Sequence, residues 1–64
     1  MDRKAQFLKV YANLPAATRD EIVAAIDGSP YTWNAARIEI DQDAVTPLGE
    51  RILDVMNQLG ILKP

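Results

Sequence analysis

Carboxylates are the only side chains in this 64-residue sequence with the acid–base or metal-binding chemistry that enzymes use most. The chain has no His and no Cys, so it lacks the commonest general base, the commonest metal ligand and any thiolate or disulfide. Asp20 and Glu21 are adjacent, which on a helix makes them point apart, and they do not form a paired acid and base. We therefore expect no enzymatic activity and no cofactor.

A second pair of carboxylates, Asp41 and Asp43, resembles the start of a calcium-binding loop. An EF-hand loop that began at Asp41 would need an oxygen ligand at its fifth position, Gly at its sixth and Glu at its twelfth. The sequence has Val45, Thr46 and Ile52 at those positions. The spacing predicts a solvent-exposed loop and no metal site.

The remaining chemistry is that of recognition, and it is concentrated between residues 31 and 37. Trp33 is the only Trp of the chain, and we expect it in the core because it is the largest apolar side chain available. Tyr31 is expected to be partly exposed, where an aromatic residue can contribute to binding. Thr32, Asn34 and Arg37 are polar, and Asn and Arg can hydrogen-bond to base edges in DNA.

The distribution of charge argues against nucleic acid as the first choice of partner. The net charge is −2, and the segment 20–54 has eight acidic residues against two arginines. A phosphate-binding surface needs excess positive charge. Residues 1–19 have a net charge of +3, with Arg3, Lys4, Lys9 and Arg19 against Asp2, and residues 55–64 add only Lys63. No run of about 18 apolar residues is present, and no apolar stretch follows the first four residues. We expect a cytoplasmic protein without a membrane span.

Helical spacing of apolar residues predicts two helices in the first half of the chain. The first covers residues 3–13, where Phe7, Tyr11 and Leu14 follow an i, i+4, i+7 pattern. A proline at 15 ends it and begins a second helix over residues 15–27, which Gly28 would close in a left-handed conformation.

Two further helices are predicted in the second half. Ser29 and Pro30 have the types of a helix cap and first residue, so we expect a third helix over 30–40. The alternation of polar and apolar residues at 37–41 also fits a strand, and this alternative stays open. Thr46 and Pro47 begin a fourth, strongly amphipathic helix that ends at Gly60, where Ile61 is expected to fold back on Met56.

These elements predict one all-α domain over residues 1–64, a compact orthogonal bundle of four short helices. The expected core combines one apolar face from each helix: Phe7, Tyr11, Ile22, Ile26, Trp33, Ile40, Ile52, Val55 and Leu59.

The segment from Asp20 to Ile40 resembles a helix-turn-helix, the DNA-binding motif of many transcription regulators. That resemblance implies that Thr32, Asn34 and Arg37 would read bases in the major groove. The segment Thr46-Pro-Leu-Gly-Glu-Arg-Ile-Leu is similar to the stretch that follows the wing strands in winged-helix regulators, which implies a short β-wing at 37–41 and makes such a DNA-binding domain the alternative fold and function.

The spacing of Asn-Leu-Pro, Pro-Tyr-Thr-Trp-Asn and Thr-Pro-Leu-Gly also resembles small uncharacterised prokaryotic proteins, many of them archaeal. This resemblance implies a helical cytoplasmic domain and no particular activity.

Our first expectation for function is a protein–protein interaction or self-association module. The apolar face of the fourth helix looks wider than three short helices can cover. The residue set expected to form the interaction surface, with a protein partner or in a homodimer, is Tyr31, Leu53, Met56, Ile61 and Leu62.

Overall fold

A β-hairpin lies in the middle of the sequence, with two helices before it and two after it. The computed structural model describes residues 2–62, with elements in the order α1 (Arg3–Ala12), α2 (Ala16–Arg19), β1 (Ile22–Ile26), β2 (Ser29–Thr32), α3 (Trp33–Ile40) and α4 (Pro47–Gln58). The arrangement is α+β, so the predicted all-α bundle is wrong.

The hairpin replaces most of the predicted second helix, of which only the four residues of α2 remain helical. β1 and β2 pair antiparallel through the two-residue loop Asp27–Gly28. Both loop residues have positive φ, 52° and 82°, as a type I′ turn requires, and this turn matches the twist of paired strands. Gly28 is therefore left-handed, as predicted, but in a hairpin turn and not at the end of a helix.

The third helix begins three residues later than predicted. Thr32 is its N-cap, and its hydroxyl accepts a hydrogen bond of 3.0 Å from the Ala35 amide. Ser29 and Pro30, which we expected at this helix start, belong to β2. Residues 37–40 are helical, so the alternative β-wing at 37–41 is wrong too.

The two terminal helices follow the prediction closely. Thr46 caps α4 by accepting a hydrogen bond of 3.0 Å from the Gly49 amide. After α4, Gly60 has φ 78° and the Ile61 amide donates to the Met56 carbonyl at 3.0 Å. This is the bond of a Schellman motif, and it confirms the predicted cap.

The core lies where α4 packs against α1, α3 and β1. Phe7 is at its centre, with the Trp33 and Tyr11 rings stacked on it at centroid distances of 5.7 and 6.1 Å. The buried apolar residues are Phe7, Ala24, Ile26, Trp33, Ala36, Ile40, Ile52, Leu53, Met56 and Leu62.

Five of the nine predicted core residues are in this buried set, and Tyr11 and Val55 are partly buried beside it. Ile22 and Leu59 are exposed, so their predicted burial is wrong. On a helix Ile22 would share a face with Ile26, but the strand has an irregularity between residues 22 and 24 that interrupts its alternation. Leu59 already lies beyond the last residue of α4.

No helix within residues 2–62 is long and apolar enough to cross a membrane.

Candidate functional site

The three residues that the helix-turn-helix resemblance assigned to base reading are engaged within the domain. Thr32 caps α3, as described above. The Asn34 side chain accepts a hydrogen bond from the Tyr11 hydroxyl at 2.5 Å and donates one to Asp20 at 2.9 Å. The geometry of a helix-turn-helix is also missing, because the hairpin, and not a helix, precedes α3.

Arg37, the third of these residues, stacks on Tyr11. Its guanidinium carbon lies 5.2 Å from the centre of the Tyr11 ring, and its terminal nitrogen lies 3.4 Å from the Asp41 carboxylate. Arg19 also stacks on that ring, at 4.3 Å, and donates to the Tyr11 carbonyl at 3.0 Å. These contacts join α1, α2 and α3, and they give both arginines a structural use.

Acidic groups lie among the cations that a phosphate-binding face would need. Arg3 forms ion pairs with Glu50, at 3.4 Å, and with Asp54, and Arg37 pairs with Asp41. Lys4 donates to the Gln42 carbonyl. This arrangement opposes the close approach of a nucleic-acid backbone.

The predicted interaction surface on α4 is largely inside the domain. Leu53, Met56 and Leu62 have exposed fractions of 2%, 0% and 2%, and Ile61 and Tyr31 are half-buried against the core. Tyr31 is thus partly exposed, as expected. The expectation of an exposed apolar patch is wrong for the other four residues, because Leu53, Met56 and Leu62 are buried and Ile61 is half-buried. The apolar face of α4 is thus packed against the core of its own chain.

Within residues 2–62, three large apolar residues are exposed instead: Ile22 at 64%, Ile38 at 68% and Leu59 at 62%. Isolated exposed apolar side chains are common on protein surfaces. Ile22 differs from the other two because it belongs to a strand, β1, that pairs on one side only with a strand of residues 2–62. We call the other side of this strand, over residues 22–26, the β1 edge.

The register of the hairpin shows which backbone groups point out of the β1 edge. Ile26 and Ser29 flank the two-residue loop and form the hydrogen-bonded pair next to it. Pairs alternate along an antiparallel ladder, so Ala25 and Pro30 form a pair without mutual hydrogen bonds. The N–H and C=O of Ala25 are therefore directed away from β2, and Ala25 is exposed.

The outer side of β2 is different because of Pro30. Proline has no amide hydrogen, and on an outer strand it blocks the addition of another strand. β1 has neither proline nor a charged residue in its sequence Ile-Val-Ala-Ala-Ile. Of the two outer sides of the hairpin, the β1 edge is thus the one whose own residues do not block further pairing.

Acidic residues flank the β1 edge, and the two ends differ in how they are balanced. Asp27 follows the strand and accepts two hydrogen bonds from Arg51, at 2.6 and 2.9 Å. These bonds, together with the positive charge of Arg51, lower the pKa of Asp27 from its ordinary value. Asp20 and Glu21 precede the strand, are exposed, and form no ion pair with any cation of residues 2–62.

Sequence reasoning missed the β1 edge, although one signal was present. Asp27–Gly28 is a dipeptide typical of a tight hairpin turn, but the Ala-rich stretch before it predicts a helix that Gly28 would end. Among the described residues no group of three or more acidic side chains is placed to hold a metal ion.

Comparison of the chain with protein-family models, with curated proteins and with solved structures finds no match.

Proposed function

We propose that this protein is an interaction module that binds other polypeptide chains through the β1 edge. The observation that supports this is an uncharged, apolar strand with an unpaired outer side and an exposed Ile22 at its start. Unpaired strand edges accept additional strands, and many recognition domains bind extended peptides in this way.

The location of the edge agrees with such a role. Ala24 and Ile26 face the core and are buried, so β1 is held in place from one side. Ala25, between them, is exposed, and a small side chain there leaves room for an incoming backbone. The site is thus a rigid strand whose free polar groups are already arranged for pairing, which reduces the ordering cost of binding.

A pair of substitutions at Ala25 tests this function. Ala25→Pro removes the outward N–H and adds a ring to the edge, whereas Ala25→Thr keeps the N–H and favours a strand. We expect proteins retained from cell extracts by the wild type and by Ala25→Thr to be lost with Ala25→Pro, as measured by quantitative mass spectrometry. Sedimentation equilibrium of the three chains measures self-association in parallel.

Circular dichroism and urea unfolding are the controls for folding of Ala25→Pro. We expect this variant to fold, because Ala25 shares no ladder hydrogen bond with Pro30. The proposal is overturned if the folded Ala25→Pro chain retains the same proteins, and sediments in the same way, as the wild type. We do not extend the proposal to DNA binding, because the residues it would need are engaged in internal contacts.

A further inference from the structure

We infer that the partner at the β1 edge is an extended segment of another protein, apolar in its middle and with Lys or Arg at the end beside Asp20 and Glu21. This inference rests on the proposed function and adds the chemistry of the partner. Three features support it: the backbone groups of the edge, its charges and its poor fit to a second copy of the chain.

The apolar middle of the partner follows from β1 itself. Residues 22–26 present no charge to pair with, so a charged residue opposite them would lose water without gaining a counter-ion. The free N–H and C=O at Ala25 select an extended backbone, and β-branched or Thr residues favour that conformation.

The positive end of the partner follows from the asymmetry of the flanking acids. Asp27 already has Arg51 as its counter-ion, whereas Glu21 and Asp20 have no cation within ion-pair distance among the described residues. A segment with Lys or Arg near Glu21 would form the pairs that the chain itself leaves unmade. In an antiparallel arrangement, which is the slightly more stable one, these cations lie at the C-terminal end of the segment.

A second copy of this chain fits the edge poorly. Antiparallel pairing of β1 with itself in full register places Glu21 opposite Asp27 of the other copy, and like charges opposite one another destabilise strand pairs.

Synthetic peptides provide the probe. The first is acetyl-Thr-Val-Thr-Val-Thr-Lys-Lys-amide, and its matched control ends in Glu-Glu. Titration into the labelled full chain, followed through the amide signals of Glu21 and Ala25, measures the dissociation constant of each. We expect the Lys peptide to bind roughly three- to ten-fold more tightly at low salt, because exposed ion pairs contribute modestly, and the difference to shrink at high salt.

Charge reversal on the protein completes the test. Glu21→Lys, at an exposed side chain, is expected to reduce or invert the preference between the two peptides, and Ala25→Pro to remove binding of both. Equal binding of the two peptides by the wild type, or no binding of either, overturns the inference.

The outcomes separate this inference from the proposed function. If neither peptide binds but Ala25→Pro still loses the proteins retained from extracts, the β1 edge is an interaction site with a different partner chemistry. If the wild type forms dimers that Ala25→Pro dissociates, the occupant is a second copy and the inference is wrong. If Ala25→Pro changes neither peptide binding, retention nor sedimentation, both fail.

Discussion

Gly49 is the residue with the least room for a side chain. A Cβ at this position would lie 2.7 Å from the Glu39 carbonyl oxygen and 2.8 Å from a methyl carbon of Val45. Both distances are well inside van der Waals contact, and the nearer atom is backbone. Glycine is thus what allows the start of α4 to pack directly on the end of α3.

Gly49→Ala is therefore expected to destabilise the domain, although alanine is the better helix former by about 1 kcal/mol. Overlap in a packed site typically costs about 1–3 kcal/mol, and here the backbone must move. Urea unfolding followed by Trp33 fluorescence measures the free energy of unfolding. Asn57→Ala, at an exposed position of the same helix, is the control, with an expected change within about 0.5 kcal/mol. A more stable Gly49→Ala chain would contradict the close packing.

The ion pair between Asp27 and Arg51 predicts a dependence of stability on acid. Hydrogen bonds from Arg51 lower the pKa of Asp27 in the folded chain, so the pair stabilises the fold above the ordinary pKa of Asp. That contribution is lost as the pH falls through the lowered pKa, because both folded and unfolded chains are then protonated.

Asp27→Asn removes this charge and keeps a favourable turn, since Asn-Gly suits type I′ as well as Asp-Gly does. We expect the variant to lose less stability than the wild type as the pH falls below the ordinary pKa of Asp, measured by thermal unfolding at low salt. Arg51→Gln should produce the same reduction, and the double variant no more than either. If the two single variants and the double variant differ in their acid dependence, the Asp27–Arg51 pair is not the cause of the loss of stability in acid.

At the scale of elements, the short segment 60–62 after α4 contributes a buried residue to the core. Gly60 reverses the chain after α4, the Ile61 amide satisfies the Met56 carbonyl, and Leu62 reaches the interior. A segment of three residues thus covers apolar surface of α4 that would otherwise face water.

Two leucines three residues apart test this closure. Leu62→Ala is expected to cost about 2–3 kcal/mol, in the lower range for a buried leucine. Leu59→Ala removes the same atoms from a side chain that is 62% exposed, and should change the free energy of unfolding by less than about 0.5 kcal/mol. Equal effects of the two substitutions in urea unfolding would contradict the burial of Leu62.

At the scale of the whole molecule, the aromatic residues connect the N-terminal helix to the rest. Phe7 is fully buried and stacks on both Trp33 and Tyr11, while Arg19 and Arg37 lie over the Tyr11 ring. α1 is therefore part of the same cooperative unit as α3 and α4.

Phe7→Ala should cost about 3–5 kcal/mol, a large share of the total stability of a domain this small. Trp33 stays in place as a probe, so fluorescence and circular dichroism can be compared in one urea series, and we expect their transitions to coincide. Ile38→Ala, at an exposed position of α3, is the control and should be nearly neutral. A Phe7→Ala chain that loses only α1 while Trp33 stays buried would show that α1 folds separately.

Local chemistry determined the parts of the fold that sequence reasoning predicted correctly. Thr46 and Pro47 start α4, and Gly60 with Ile61 ends it, because caps depend on a few neighbouring residues. The first helix and the stop at Pro15 have the same origin. The burial of Phe7, Trp33 and Ile52 followed from size and helical spacing alone.

One feature of the sequence could have predicted the candidate site. Asp27–Gly28 specifies a tight turn, and reading it as a hairpin would have shown β1 and its edge. The Ala-rich composition and the early acids of residues 16–27 favour a helix locally, and this local preference conflicts with the turn signal. The outward direction of the Ala25 N–H and C=O also depends on the pairing of Ala25 with Pro30, which only the register defines.

Tertiary structure decided the two questions that neighbours in sequence leave open: the state of residues 22–26, and which apolar residues face water. β1 is a strand because it pairs with β2 and packs Ala24 and Ile26 against the core. These contacts stabilise the strand more than local helix propensity would stabilise a helix. Leu53, Met56 and Leu62 are buried in one core cluster with residues distant in sequence, whereas Ile22 and Leu59 are exposed. Sequence by itself determined the extents of α1 and α4, since their start and stop signals are local, but the state of residues 22–26 and the exposed surface depend on contacts between residues far apart in the chain.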